Sequence, residues 1–308
     1  MLNFESDLEN CNLCPRKCGI NRKTVETGWC KTGSGYYISS ICIHKGEEPP
    51  ISGNKGICNV FFAHCNLQCV YCQNFQISDN KISISKFEMN FEEVIFQIIE
   101  IMKKGINIIG FVSASHVVPQ MIAIIEEINK RGYKPTIVYN SNGYDSVETL
   151  KKLENIVNVY LPDFKYFESD LSEKYSLAKN YPEIAQKAIK EMYRQKGSSL
   201  HIDDEGYAES GLIIRHLILP NQVENSFKVL NFIAEEISTS VHISLMSQYY
   251  PTHNFVKYEK LKRKILKSEY QAVLDEMERL GFYKGFNQEL DSTENYRPDF
   301  ENNHPFET

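Results

Sequence analysis

This 308-residue sequence has no cysteine after position 72. All nine cysteines lie between Cys11 and Cys72. No apolar run approaches the ~18 residues that span a membrane. The first residues show no basic region followed by an apolar core, so no signal peptide is recognised. We therefore expect a cytoplasmic protein without a membrane partner. In that reducing compartment, cysteines clustered at one end of a chain indicate metal binding rather than disulfides.

An excess of positive charge is also missing, since the formal net charge is −6 and the pI is near 5.8. Proteins that bind a phosphate backbone present a basic surface, so nucleic acid is disfavoured as the main partner. The sequence has no internal repeat and no low-complexity segment. Its length suits one large core, as in α/β barrels that fill a chain of this size as one domain.

Three closely spaced cysteines form the first candidate metal site. Cys65, Cys69 and Cys72 have x3 and x2 spacings, and Tyr71 immediately precedes the third. Thiolates suit iron–sulfur clusters, and an ordinary [4Fe–4S] cluster uses four of them. Three cysteines therefore hold three irons and leave the fourth open to an outside ligand. The alternatives are zinc, or three cysteines that are neighbours by chance.

A second set of cysteines precedes this one. Its members are Cys11, Cys14, Cys18 and Cys30. Four thiolates can close either an iron–sulfur site or a zinc site, and a metal would stabilise a segment that has little apolar core. Scattered reduced thiols are the remaining alternative. Cys42 and Cys58 stand alone, and we expect small buried residues there, although either could replace the fourth ligand.

The rest of the chain alternates between strand and helix patterns. Strands are predicted at 59–63, 106–113, 136–140, 157–164, 212–219 and 241–246. Helices are predicted at 91–104, 118–131, 146–153, 182–195, 223–237 and 268–280. Alternation of this kind indicates parallel strands with right-handed crossovers. Six units are too few for a closed eight-fold barrel, so we predict an α/β fold with a partial (β/α)6 barrel.

This pattern divides the chain into three parts. Residues 1–57 are predicted to be an irregular, cysteine-rich metal-binding segment, residues 58–281 the barrel, and residues 282–308 a polar tail. In βα barrels the chemistry gathers at the carboxyl ends of the strands. The loop with Cys65 leaves the first predicted strand at that end.

The stretch 65–72 resembles the signature of the radical S-adenosylmethionine (SAM) superfamily. The chain is similar to proteins related to pyruvate formate-lyase activating enzyme, in the branch with an extra cysteine-rich N-terminus. The similar segments are 11–18, 44, 47–49, 65–74, 139–144, 161–166, 191–195, 214–220 and 248–251. The resemblance implies a [4Fe–4S] cluster at Cys65, Cys69 and Cys72, and SAM bound to its open iron. It also implies reductive cleavage of SAM to a 5′-deoxyadenosyl radical that takes a hydrogen atom from a substrate.

Several SAM contacts follow from the resemblance. Tyr71 would meet the adenine, or simply pack, and Asn74 would donate to the cluster loop or the cofactor, or form a turn. Asp163 and Lys165 face one side of a strand because strand side chains alternate. Asp163 would hold the SAM ammonium or a nearby cation, and Lys165 the carboxylate or ribose. A structural ion pair is the alternative.

Three further positions complete the implied site. Asn140 and Asn142 end the third strand, where the relatives have Asp-Thr-Asn-Gly, so the aspartate of the cation site is replaced here. Arg215 could clamp the SAM carboxylate or pair within the core. The Gly-Gly-Glu that receives the SAM ammonium in many relatives is absent. We expect Ser113 and Ser115, on one side of the second strand, to supply hydroxyl acceptors instead.

The substrate remains open at this level. The resemblance suggests a backbone glycine of a glycyl-radical enzyme, with a peptide or small molecule as the alternative. A non-catalytic zinc-binding barrel is a third possibility. Flavodoxin or ferredoxin is the expected type of electron donor. His116 could donate to a substrate, or it could be a structural histidine.

Overall fold

Strands that alternate with helices form the framework of the computed structural model, which describes residues 5–24, 27–252, 257–290, 297–302 and 304–306. The strands are β1 (Tyr36–His44), β2 (Ile57–Phe62), β3 (Glu88–Met89), β4 (Ile108–Val112), β5 (Thr136–Ser141), β6 (Val159–Pro162), β7 (His201–Ile202), β8 (Ala208–Leu217), β9 (His242–Met246) and β10 (Gly285–Asn287). The helices are α1 (Glu5–Glu9), α2 (Pro49–Ser52), α3 (Phe75–Ser78), α4 (Phe91–Met102), α5 (Val118–Lys130), α6 (Val147–Lys152), α7 (Ser169–Ser176), α8 (Tyr181–Lys196), α9 (Val223–Glu236) and α10 (Lys267–Leu280).

The strands form one sheet in the order β10-β9-β8-β6-β5-β4-β2-β1-β3, and β7 pairs with β8. Neighbouring strands from β2 to β10 in this order are parallel. β1 is antiparallel to both β2 and β3. Among the described strands no pairing joins β10 to β3, so the sheet does not close. The prediction of an α/β fold with a partial barrel is therefore confirmed.

All six predicted strands and all six predicted helices are present, with ends that differ by up to four residues. Asn90 is the N-cap of α4, because its side chain accepts a hydrogen bond from the backbone N–H of Glu92 at 2.9 Å. The α4 side chains Val94, Ile95 and Ile98 are fully buried, as the helical period requires. None of the described helices has the length and apolarity that crossing a bilayer demands.

Two predictions about irregular segments need correction. The first 57 residues are not irregular throughout, since β1 pairs along β2 from Ile38 to His44. The tail also contributes β10, where Gly285 lies so close to β9 that a Cβ would stand 2.0 Å from the Ile243 carbonyl oxygen. Both strands depend on pairing with another strand, which local periodicity does not report. The domain boundaries at 57 and 281 stay predictions.

An apolar layer fills the barrel interior near the amino ends of the strands. Its residues come from the inward faces of five strands and from α2: Ile57, Ile108, Val138, Val159, Ile213 and Ile51. The connection between β1 and β2 thus inserts α2 into the barrel. This insertion places the residues just before α2 beneath the cavity described next.

Candidate functional site

A cavity of about 200 Å³ lies at the carboxyl ends of the parallel strands. The loop after β2 forms part of its wall. Eleven of the residues predicted for the first site line it: Cys65, Cys69, Tyr71, Cys72, Asn74, Ser113, Asn140, Asn142, Asp163, Lys165 and Arg215. The fold therefore brings together residues that are up to 150 positions apart in the sequence, as the βα pattern requires.

Each cysteine sulfur in this cavity accepts a hydrogen bond from a polar side chain. The pairs are Asn142 Nδ2 to Cys65 Sγ at 3.3 Å, Ser176 Oγ to Cys69 Sγ at 3.0 Å and Ser78 Oγ to Cys72 Sγ at 3.2 Å. Donors aimed at sulfur favour its thiolate form and fix its orientation. The sequence identified Asn142 but missed Ser176 and Ser78, because helices α7 and α3 that end with them were not predicted.

Burial raises the pKa of Cys65 to about 12 and that of Cys69 to about 11. The positive charge of Lys165 opposes this rise at Cys69. A coordinated metal displaces the thiol proton, which removes the conflict between burial and ionisation. Three such thiols beside a cavity that Asp163, Lys165 and Arg215 also line therefore fit a metal cluster.

A layer of charged side chains forms the deeper wall of the cavity. Asp163 accepts hydrogen bonds from Arg215 Nε at 2.9 Å and from Lys165 Nζ at 2.5 Å. Arg215 also donates Nη1 to Glu47 Oε2 at 3.2 Å and Nη2 to Asn140 Oδ1 at 2.7 Å. Burial alone would raise the pKa of Asp163, but the charges of Arg215 and Lys165 hold it below its ordinary value.

These contacts test two expectations from the sequence, one about the side on which Asp163 and Lys165 lie and one about the partners of Arg215. Asp163 and Lys165 do share one side, as alternation predicts. The guanidinium of Arg215 has three partners within the chain, which is the core ion-pair arrangement that the sequence left open. Its positive charge lies between Asp163 and Asn140, the two side chains associated with a cation in the relatives.

Sequence reasoning assigned no role to the residues that precede α2. Glu47 Oε1 accepts from Asn59 Nδ2 at 3.0 Å and from Asn140 Nδ2 at 3.3 Å. Glu48 is 8% exposed, and its Oε2 has no hydrogen-bond partner within the described chain. Burial raises the pKa of Glu48 although Arg215 opposes the rise. The signal available was weak: adjacent acidic residues before Pro49, in a segment similar to the family.

The end of β4 differs from the expectation. Strand β4 ends at Val112. Ser113 then adopts a left-handed conformation with φ of 57°, and a 3₁₀ turn follows. Ser113 therefore lines the cavity, whereas Ser115 does not, so the prediction that they share a side is wrong. His116 also turns away, and its Nε2 lies 3.1 Å from the Ala63 carbonyl oxygen. Burial lowers the pKa of His116 to about 3.

Tyr71 and Asn74 occupy the loop and the start of the helix that follow the cysteines. The hydroxyl of Tyr71 is hydrogen-bonded to that of Tyr166 at 2.6 Å, and its ring packs at 6.0 Å from that of Tyr249. Asn74 is the N-cap of α3, but its side chain makes no capping bond. Both residues still line the cavity. Packing for Tyr71 and a turn position for Asn74 are thus observed, and contacts with SAM remain predictions.

The second cysteine set surrounds a separate, smaller cavity. Cys11, Cys14, Cys18 and Cys30 all line it. Cys42 and Cys58 line neither cavity and are buried at 1% and 0% exposure, as small core residues. Among the described residues, no group of three or more His, Cys, Asp or Glu side chains is arranged to hold a metal ion.

Comparison with known proteins identifies the family. The model of the radical SAM superfamily matches residues 59–203, from β2 with the cysteine loop to β7. The chain belongs to the radical SAM superfamily. Membership implies a [4Fe–4S] cluster and SAM as cofactors, and makes the protein a radical SAM enzyme. An uncharacterized protein of Methanocaldococcus jannaschii is 30% identical over 278 residues, which are 88% of this chain and 75% of that protein.

Two solved structures are similar to parts of the chain. The crystal structure of methylornithine synthase has a TM-score of 0.52 at 12% identity, covering 82% of this chain and 80% of that one. Streptococcus suis SuiB, bound to the precursor peptide SuiA, has a TM-score of 0.49 at 12% identity. That match covers 75% of this chain and 48% of SuiB, so the chain spans about half of its length.

Proposed function

We propose that Cys65, Cys69 and Cys72 hold the [4Fe–4S] cluster of this radical SAM enzyme and that the adjoining cavity binds SAM. The observation that carries the proposal is the placement of three cysteine sulfurs, each with its own hydrogen-bond donor, on the wall of one cavity that charged side chains also line. When bound, the two cofactors supply reductive cleavage of SAM and hydrogen-atom abstraction from a substrate. The protein supplies orientation and exclusion of water.

The charged layer would orient SAM. Lys165 uses one of its three N–H groups on Asp163, which leaves donors for a carboxylate or a ribose hydroxyl. Glu48 lines the cavity, and its Oε2 has no hydrogen-bond partner among the described residues, so it can accept from an ammonium group. This carboxylate would serve where the family's Gly-Gly-Glu is missing. The apolar side chains of Phe61, Leu217 and Met246 complete the lining and exclude water.

The tail limits which substrates reach the cavity. Phe306 lines it, and the ring of Phe306 lies 4.0 Å from that of His44. Asp299 accepts a hydrogen bond from Gln76 Nε2 at 2.8 Å, which ties the tail to α3. A tail segment in the cavity wall narrows the access of a glycyl-radical enzyme. It therefore favours the alternative substrate, a peptide or small molecule.

An electron donor of the flavodoxin or ferredoxin type and a cytoplasmic setting belong to the same proposal. The described cysteines form no disulfide bond, which suits a reducing compartment.

Anaerobic reconstitution with iron and sulfide, followed by incubation with SAM and dithionite, tests the core of the proposal. The parent should form 5′-deoxyadenosine, and single Cys65→Ala, Cys69→Ala and Cys72→Ala variants should form none. Cys42→Ala serves as the matched control, since Cys42 is buried away from both cavities and should keep the parent rate. Product formation at the parent rate by any of the three variants would overturn the assignment.

A further inference from the structure

The four N-terminal cysteines share their cavity with a half-buried cation. Arg16 lines the cavity together with Trp29, and the Arg16 guanidinium lies 3.8 Å from the Trp29 ring centroid. The Nη2 atom of Arg16 is buried and has no hydrogen-bond partner within the described chain. A buried N–H group without an acceptor is destabilising by about 1–3 kcal/mol. An acceptor that fills the cavity would remove this penalty.

A second arginine reinforces the positive charge. Arg22 is 1% exposed and donates to the backbone oxygen of Gly33 at 2.7 Å and to Thr32 Oγ1 at 2.8 Å. Burial raises the pKa of Cys11, and the charge of Arg22 opposes that rise. Two fixed cations beside four thiols suit a centre with net negative charge, such as a metal bound by four thiolates.

The unpartnered N–H group of Arg16 bears on the kind of metal centre. All four cysteines line one cavity, and their thiolates could surround one zinc ion or hold the four irons of a cubane. A zinc site brings no acceptor besides its thiolates. A cubane also brings inorganic sulfides, which can accept a hydrogen bond from the Arg16 Nη2–H group.

We propose that Cys11, Cys14, Cys18 and Cys30 hold a second [4Fe–4S] cluster and that Arg16 is its positioning residue, donating Nη2–H to cluster sulfur. With four protein ligands, this cluster has no open iron for SAM. The inference rests on the second cavity and does not require the proposed SAM chemistry.

Arg16 also connects the second site to the first. Its Nε donates to the backbone oxygen of Asn66 at 2.9 Å, one residue after Cys65. Its charge acts on Cys14, Cys18 and Cys65 together. A change at Arg16 should therefore alter the electrostatics of both sites.

Two side chains add backbone links between the sites. Asn80 donates Nδ2–H to the Trp29 carbonyl at 2.9 Å and accepts from the Cys65 N–H at 3.1 Å. His64 Nδ1 lies 2.8 Å from the Cys30 carbonyl oxygen. The segment that carries the second site is thus held against the residues that begin the first cysteine loop.

Metal content of a full-length Cys65→Ala/Cys69→Ala/Cys72→Ala variant tests the second cluster. After anaerobic reconstitution the variant should contain about four irons per chain and absorb broadly near ~400 nm. Adding Cys14→Ser and Cys18→Ser should remove the iron. Bound zinc without iron, or iron that survives all five substitutions, would overturn the proposal. Should the triple variant fail to fold, Cys14→Ser/Cys18→Ser with the first site intact should hold half of the parent's iron, and unchanged iron would be the contrary result.

The reduction potential tests the role of Arg16 separately from its packing. In the triple variant, Arg16→Met should move the potential of the remaining cluster to a more negative value, because the reduced cluster loses a nearby positive charge and a donor. Arg16→Lys keeps the charge and should shift it less. Lys23→Met is the control, since Lys23 pairs with Glu9 on the surface. Equal potentials in Arg16→Met and the parent would show that Arg16 does not act on the cluster.

Discussion

Replacing Asp163 by asparagine tests the charged layer beneath the cavity. Asparagine keeps the shape but removes the negative charge that faces Arg215 and Lys165, whose side chains are both 13% exposed. Its amide N–H₂ would also point at one of these donors. Breaking a buried ion pair from one side is destabilising by about 3–5 kcal/mol. Because asparagine retains one acceptor, we expect a loss of about 3 kcal/mol in the free energy of unfolding at pH 7.

Urea unfolding of the unreconstituted protein, followed by circular dichroism, measures this loss. The folded-state pKa of Asp163 lies below its ordinary value, so the carboxylate stabilises the fold at neutral pH and ceases to do so as the pH falls through the folded pKa. The difference between parent and variant should therefore shrink in acid. Glu183→Gln is the control, because its pair with Lys187 is exposed at 69% and 63%. If Asp163→Asn unfolded at the same urea concentration as this control, our account of the charged layer would be wrong.

The same variant separates stability from SAM binding. Glu48 is the ammonium acceptor that we propose, so a direct contact between Asp163 and the SAM ammonium is the alternative. Such a contact would be worth about 1.5–3 kcal/mol, and its loss would weaken SAM binding by the reconstituted variant about ten- to a hundred-fold. Equilibrium dialysis at a temperature where both proteins are folded measures this change. Equal affinity would assign Asp163 a purely structural role.

Three further outcomes follow from the geometry. Burial lowers the pKa of His216 from 6.5 to about 4, so the fold should lose about 3 kcal/mol as the pH falls from 6.5 to 4, and His216→Gln should flatten that loss in pH-dependent urea unfolding. Gly143→Ala would place a Cβ 2.2 Å from the Asp163 carbonyl oxygen. It should therefore lower the melting temperature far more than an alanine that causes only backbone strain at a positive φ. Phe306→Ala removes a ring contact worth about 1 kcal/mol, so proteolysis of the tail should become roughly fivefold faster.

Each of these has a matched control. His201→Gln changes an exposed histidine, so this variant should lose as much unfolding free energy between pH 6.5 and 4 as the parent. An equally large loss in His216→Gln would show that His216 does not cause it. Gly132→Ala has a similar φ of +91° with nothing within 4 Å, so it isolates backbone strain. A melting temperature equal to that of Gly143→Ala would show that the close approach is unimportant. Phe96→Ala changes an exposed ring and is the control for Phe306→Ala. If the tails of the two variants were cleaved at the same rate, the Phe306 contact would not hold the tail at the cavity wall.

The sequence by itself determined the features that depend on short-range spacing. The x3 and x2 cysteine spacings indicated the cluster loop, and the alternation of strand and helix periods indicated an open parallel sheet. Alternation also predicted that Asp163 and Lys165 share a side, and they do so although β6 ends one residue before Asp163. The four cysteines from Cys11 to Cys30 could be grouped for the same reason.

Tertiary structure alone decided which distant side chains meet. Glu47 and Arg215 are 168 positions apart, and they touch because α2 enters the barrel beneath β8. The donors to Cys69 and Cys72 come from the ends of helices whose placement depends on packing. Ser115 left the cavity because the pleat stops at Val112 and the next residue turns left-handed. Periodicity predicts the face on which a residue lies only as long as the strand or helix continues. Contacts across the barrel depend on the curvature of the whole sheet, which periodicity does not describe.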